Sequence, residues 1–139
     1  MTNFEEDLQV GELAEDWVAD TLAELWGVEV VRAPKGCRHY DLLCGQWKVE
    51  VKYAREPHKF LPIEYEYKGH PSGIKGTQSD WWVWVFRGQI WLARTGALCS
   101  WLARNHGRLK KTTGGDGGNA KYILLPLEEV PAIFKMINT

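Results

Sequence analysis

Six consecutive apolar residues, Trp81-Trp82-Val83-Trp84-Val85-Phe86, constrain this chain more than any other feature. The run is too short for a buried helix, and its aromatic and β-branched content reads as a strand. A strand apolar on both faces needs a covering layer on each side. At 139 residues the chain has room for one such layered domain, not two. With 45% hydrophobic residues it can pack a core without disulfide or metal staples. Cys37, Cys44 and Cys99 are odd in number and show no CxxC spacing, so they read as reduced, mostly buried thiols.

Around this strand, periodicity predicts a helix over 11–26 with an apolar stripe of Leu13, Ala14, Trp17, Val18, Leu22 and Leu25, ended by Gly27. Strands follow at 28–32, 39–44 and 47–53, then an extended segment at 60–67 and a loop at 69–76. Arg87-Gly88 turns the apolar run into a neighbouring strand at 89–94. Thr95 caps a helix reaching residue 105, and a basic, glycine-rich excursion runs from 104 to 119. A strand at 121–125 and a helix at 127–137 finish the chain. This order predicts a single domain over 1–139, an α/β sheet of mixed direction with helices packed on it.

Gly45-Gln46 suits a type II′ hairpin, in which residues whose numbers sum to 91 face each other. Asp41 then lies opposite Glu50, with Cβ atoms about 5 Å apart. Glu50 and Lys52 share one strand face, and Val49 and Val51 the other. Two adjacent carboxylates repel unless a cation sits between them, and a hard divalent ion such as Mg²⁺, with Mn²⁺ as a substitute, resolves the conflict. The Val51 carbonyl offers a further oxygen. A third acid is expected from the first helix: Glu15 flanks the apolar stripe, and Glu12, the alternative, points more nearly to solvent. Glu64 and Glu66 share a strand face as extra ligands or as a solvated edge. Cys37, His39 and Cys44 match no common zinc spacing.

The formal net charge of −1 hides an asymmetry. Nine acidic residues precede the first base, Arg32, leaving all 17 bases against nine acids over residues 30–139, a balance of +8. The expected phosphate contacts are the dense run Arg104, Arg108, Lys110 and Lys111 with His106, the loop residues Lys35, Arg38 and His39, and Lys75 with Gln78 from the segment after the hairpin. The glycine-rich loop lacks G-K-[ST], which argues against a nucleotide cofactor. Of the eight tryptophans, Trp17, Trp82 and Trp84 read as core, while Trp47 and Trp101 suit a dimer contact or nucleic acid. No apolar run approaches a membrane span and no signal peptide is evident, so a cytoplasmic protein without a membrane partner, in a bacterial or phage-infected cell, is expected.

Glu15 in Gly11-x-x-x-Glu15, then Asp41, then Glu50-Val51-Lys52 resembles the PD-(D/E)XK nuclease pattern. The opening is similar to its Holliday-junction resolvase branch, where a G-x-x-x-E helix ends in glycine and leads into a V-V-R strand, here Val30-Val31-Arg32. The 72–81 segment is similar to that of a phage-type branch. Tyr40 stands where the pattern commonly has proline before the aspartate. The resemblance implies a restriction-endonuclease-like mixed β-sheet core flanked by helices. It also implies a Mg²⁺-dependent DNA endonuclease, structure-selective for Holliday-junction-like or other branched DNA. A homodimer is expected as well, since so small a domain reaches two strands most easily by symmetry. Asp41, Glu50 and the Val51 carbonyl would hold the metal. Lys52 would orient water or stabilise the phosphorane, and Glu15 would complete a second metal site or align the water. A non-catalytic nucleic-acid-binding module, a site-specific restriction or homing nuclease, and an RNA-directed nuclease are the alternatives.

Overall fold

The computed structural model describes residues 3–138. Its elements in chain order are α1 (Asn3–Trp26), β1 (Val30–Arg32), β2 (Leu42–Cys44), β3 (Trp47–Tyr53), β4 (Phe60–Tyr67), β5 (His70–Pro71), β6 (Trp81–Phe86), β7 (Gln89–Arg94), α2 (Thr95–Asn105), β8 (Lys111–Gly114), β9 (Ala120–Pro126), α3 (Val130–Ile133) and β10 (Lys135–Met136), joined in places by short 3₁₀ turns. Six strands form a sheet in the order β1-β2-β3-β6-β7-β10, parallel between β3 and β6 and antiparallel elsewhere. The apolar run is β6, inside this sheet. Val83 and Val85 pack with Ala14, Val18 and Leu22 of α1. Trp82, Trp84 and Phe86 pack on the opposite face with Leu98 and Leu102 of α2 and Leu61, Ile63, Ile123 and Leu125. The two covering layers that an apolar strand demands are therefore present.

The second layer includes a separate antiparallel sheet, β5-β4-β9-β8, where a single sheet was expected. In β4 and β9, Leu61, Ile63, Ile123 and Leu125 are buried and alternate with more accessible residues. Such half-buried strands lie face-on over the tryptophan face of the first sheet instead of extending its edge. The basic excursion contributes β8 to this sheet.

Helix α1 begins at Asn3, before the expected start, and its buried line is narrower than the stripe implied. Ala14, Val18 and Leu22 are 6%, 0% and 0% exposed, whereas Leu13, Trp17 and Leu25 are 66%, 38% and 53% exposed. At 100° per residue the buried line centres roughly 40° further round, towards Glu15. Among the described residues of α1 the buried ones form a single i, i+4, i+8 row, Ala14, Val18 and Leu22, so Trp17 lies outside the core. Three further expectations change. Thr95 is the first residue of α2, not its cap, and the capping position is Arg94 without a side-chain bond. The last helix is reduced to a 3₁₀ turn and the four-residue α3, because Phe134 turns extended (φ −109°, ψ 153°) and the chain continues as β10 along β7. Of the thiols only Cys44 is buried, and burial pushes it up to about 11, while Cys99 is exposed. No helix among the described residues is long and apolar enough to cross a membrane.

Candidate active site

The β2–β3 hairpin forms with Gly45 at φ +60° and Gln46 at negative φ, the sign pattern of a type II′ turn. Leu42 pairs with Val49, Leu43 with Lys48 and Cys44 with Trp47, the expected register. Asp41 continues it one residue beyond β2: its N–H donates to the Val49 carbonyl at 2.9 Å. In return, the Val51 N–H donates to Asp41 Oδ2 at 2.7 Å. Asp41 is thereby fixed beside Glu50, and the two carboxyl groups hydrogen-bond.

Lys52 Nζ lies 3.6 Å from Glu50 Oε2 and 5.6 Å above the Trp82 ring. These three residues thus stand on the tryptophan face of the sheet. The Glu50 side chain is only 13% exposed. Burial, then its hydrogen bond to Asp41, pushes its carboxyl up to about 8 against the pull of Lys52. Glu50 therefore keeps its proton at neutral pH when nothing else neutralises the pair.

Glu15 reaches the same edge of the sheet from α1. Burial, then the charge of Asp41, raises its carboxyl, opposed by Arg32. Arg32 lies 3.5 Å from Glu15 and 3.3 Å from Asp16, and it donates to the Glu12 carbonyl at 3.2 Å. Of the two helix acids considered, Glu15 faces Asp41 and the Glu12 side chain is exposed. Sequence reasoning missed the role of Arg32, which clamps the acids of α1 to β1.

A hydroxyl network supports Glu50 from the other side. Thr77 Oγ1 lies 3.5 Å from Glu50 Oε1 and 2.9 Å from Ser79 Oγ, and it accepts the Ser79 N–H at 3.0 Å. Ser79, itself buried, continues to Thr95 Oγ1 at 3.1 Å. Thr95 is thus engaged inside the structure, which explains why it does not cap α2. No spacing motif announces this chain of hydroxyls, because Thr77 and Ser79 meet Thr95 and Glu50 only in the folded chain.

Glu50 and Lys52 open into a cleft of about 730 Å³. Arg38, His39, Lys68 and His70 are among its lining residues, with Glu64, Tyr67 and Ser72. Of the expected phosphate-binding residues, only Arg38, with His39, lines it. Lys35 and Arg104 are exposed elsewhere. Lys75 and Lys111 border a separate apolar cavity of about 370 Å³ with His106. Arg108 pairs with Glu129 at 3.0 Å and lies over Trp101, and Lys110 lies over Phe60. Trp47 is covered by Arg94. His70 was hidden in what the sequence showed only as a turn-rich loop, and Lys68 stands at the junction just before it.

Among the described residues no three His, Cys, Asp or Glu side chains converge into a preformed metal cage. The donor set nonetheless suits Mg²⁺, which is commonly held by one or two carboxylates, with waters and substrate phosphate filling its other positions. A divalent cation at Asp41 and Glu50 would displace the proton they retain. No family model matches the chain, and searches of curated proteins and of solved structures find no significant match.

Proposed function

We propose that this chain is a Mg²⁺-dependent DNA endonuclease of the PD-(D/E)XK type on a restriction-endonuclease-like core. The observation that carries the reading is the convergence of Asp41, Glu50 and Lys52 on one hairpin, with Glu50 and Lys52 opening into a cleft that Arg38, His39, Lys68 and His70 also line. Asp41 and Glu50 would hold the ion, with the Val51 carbonyl as a further oxygen. An ion held there would supply polarisation of a phosphate oxygen and a lowered pKa for a bound water. Lys52 donates a hydrogen bond to the attacking water or to the phosphate oxygen on which charge develops. Thr77 holds Glu50 in place, and Glu15, balanced by Arg32, aligns the water from the helix side. A homodimer would present two clefts to two strands, and a solution mass of twice the chain would establish it. The test is a panel of linear, mismatched and four-way-junction DNA incubated in Mg²⁺ and in EDTA. Cleavage only in Mg²⁺ supports the reading, and the preferred form identifies the substrate shape. Binding without cleavage by any divalent cation would favour a non-catalytic module.

A further inference from the structure

Strand β4 breaks its alternation beside the cleft. Glu64 pairs with Tyr122 and Glu66 with Lys121, so Tyr65 is an extra residue, a β-bulge. Strict alternation would put Glu64 and Glu66 on one face and Tyr67 on the other. With the bulge, Glu64 and Tyr67 both line the cleft. Glu66 does not; it pairs with Lys121 at 2.9 Å. The shift sets Tyr67, 39% exposed, in the cleft that holds Glu50 and Lys52.

The support behind that ring is firm. Lys68 (φ +50°) and Gly69 (φ +80°) close β4 onto β5 in a two-residue turn with both φ values positive. The Lys68 N–H donates to the Asn119 carbonyl at 3.0 Å, and Lys68 Nζ sits over one face of the Tyr67 ring, 5.5 Å from its centroid, so a base would stack on the opposite face. Ser72 Oγ, also on the cleft, is buried without a hydrogen-bond partner. A flat apolar face, an ammonium and an unspent hydroxyl are what one nucleotide needs for its base and its phosphate. A base can lie on Tyr67 only after leaving the stack of a duplex.

We propose that the cleft binds an unpaired DNA strand, with a base stacked on Tyr67 and its phosphate between Lys68, Ser72 and Arg38, so that substrates carry a single-stranded segment. This deepens the nuclease reading and rests on it for the identity of the polymer. The test is fluorescence anisotropy of the full chain in EDTA with three labelled probes of one sequence: a single strand, a blunt duplex, and a duplex with a single-stranded overhang. The single strand and the overhang should bind about tenfold or more tighter than the blunt duplex. Tyr67→Ala should weaken single-strand binding by about 5- to 150-fold, the range for loss of one base–aromatic stack. Tyr67→Phe should keep it, and Tyr67→Leu, which retains bulk without the ring, should fall with Tyr67→Ala. Equal or tighter binding of the blunt duplex, or unchanged binding by both Tyr67→Ala and Tyr67→Leu, would overturn the proposal. Cleavage is not read in this assay, so a chain that binds strands but cuts nothing would defeat the nuclease reading alone, and loss of the strand preference would defeat this proposal alone.

Discussion

Replacing Glu50 by glutamine should remove a pH dependence of stability that the buried carboxyl pair imposes. Glu50 titrates near 8 in the folded chain, against an ordinary value of 4.5. Between these limits the folded state binds more protons than the unfolded one, so the contribution of Glu50 to stability falls as pH rises. From pH 5 to pH 8 the loss is on the order of 3 kcal/mol, taking 1.36 kcal/mol per pKa unit. For a domain of this size that corresponds to about 10 °C in Tm. Glutamine carries no proton to lose, and its amide can still donate to Asp41. Thermal melts of both proteins in EDTA, at several pH values, isolate the effect as a difference between two curves, so other titrating groups cancel. At pH 8 the wild type should also gain Tm on addition of Mg²⁺, because the ion binds the folded state, and Glu50→Gln should gain little. Parallel pH curves for the two proteins, with equal response to Mg²⁺, would refute the reasoning.

Three further outcomes follow from the packing. Thr77→Val leaves the Ser79 N–H and Glu50 Oε1 without their hydroxyl; it should cost about 1–3 kcal/mol in denaturant melts and lower kcat, while Thr77→Ser restores both. Gly73 has φ +51°, and an added Cβ would come within 2.1 Å of the Glu64 carbonyl oxygen, so Gly73→Ala should lose about 2–4 kcal/mol and weaken DNA binding at the cleft. Leu22→Ala, at a fully buried position, should cost about 2–5 kcal/mol by chemical denaturation, whereas Leu13→Ala on the outer flank of α1 should stay within about 0.5 kcal/mol.

What was legible in the chain was local. Alternation and a glycine at the first turn position define the Gly45-Gln46 hairpin, and the observed pairing of Leu42 with Val49 follows from them. The Trp81–Phe86 strand and its neighbour at Gln89–Arg94 stand where apolar runs and Arg87-Gly88 put them. What escaped depends on contacts between distant segments. The four-stranded sheet forms only once Ile123 and Leu125 find Leu61 and Ile63 across some 60 residues, a pairing no local pattern encodes. The rotation of α1 is decided by the sheet residues packed beneath Val18, among them Val83 and Val85, not by the helix's own apolar arc. The candidate site divides in the same way. Asp41, Glu50 and Lys52 come from one hairpin and could be read from it. Arg32, Thr77 and Ser79 are recruited by folding, and the bulge at Tyr65 swaps Glu66 for Tyr67 on the cleft wall. Charge counting pointed to residues 104–111, yet Arg108, Lys110 and Lys111 there are engaged with Glu129, Phe60 and the His106 carbonyl.

The most direct test of the central claim is conversion of negatively supercoiled plasmid, whose torsional stress opens unpaired segments, by wild type, Asp41→Ala and Lys52→Ala, each with Mg²⁺ and with EDTA. Wild type should give nicked or linear product in Mg²⁺ alone. Lys52→Ala should be slower by about 10²–10³-fold, the cost of removing one group that stabilises developing charge. Asp41→Ala should be at least as slow. Equal conversion by all three proteins, or none by wild type on DNA, would contradict the claim.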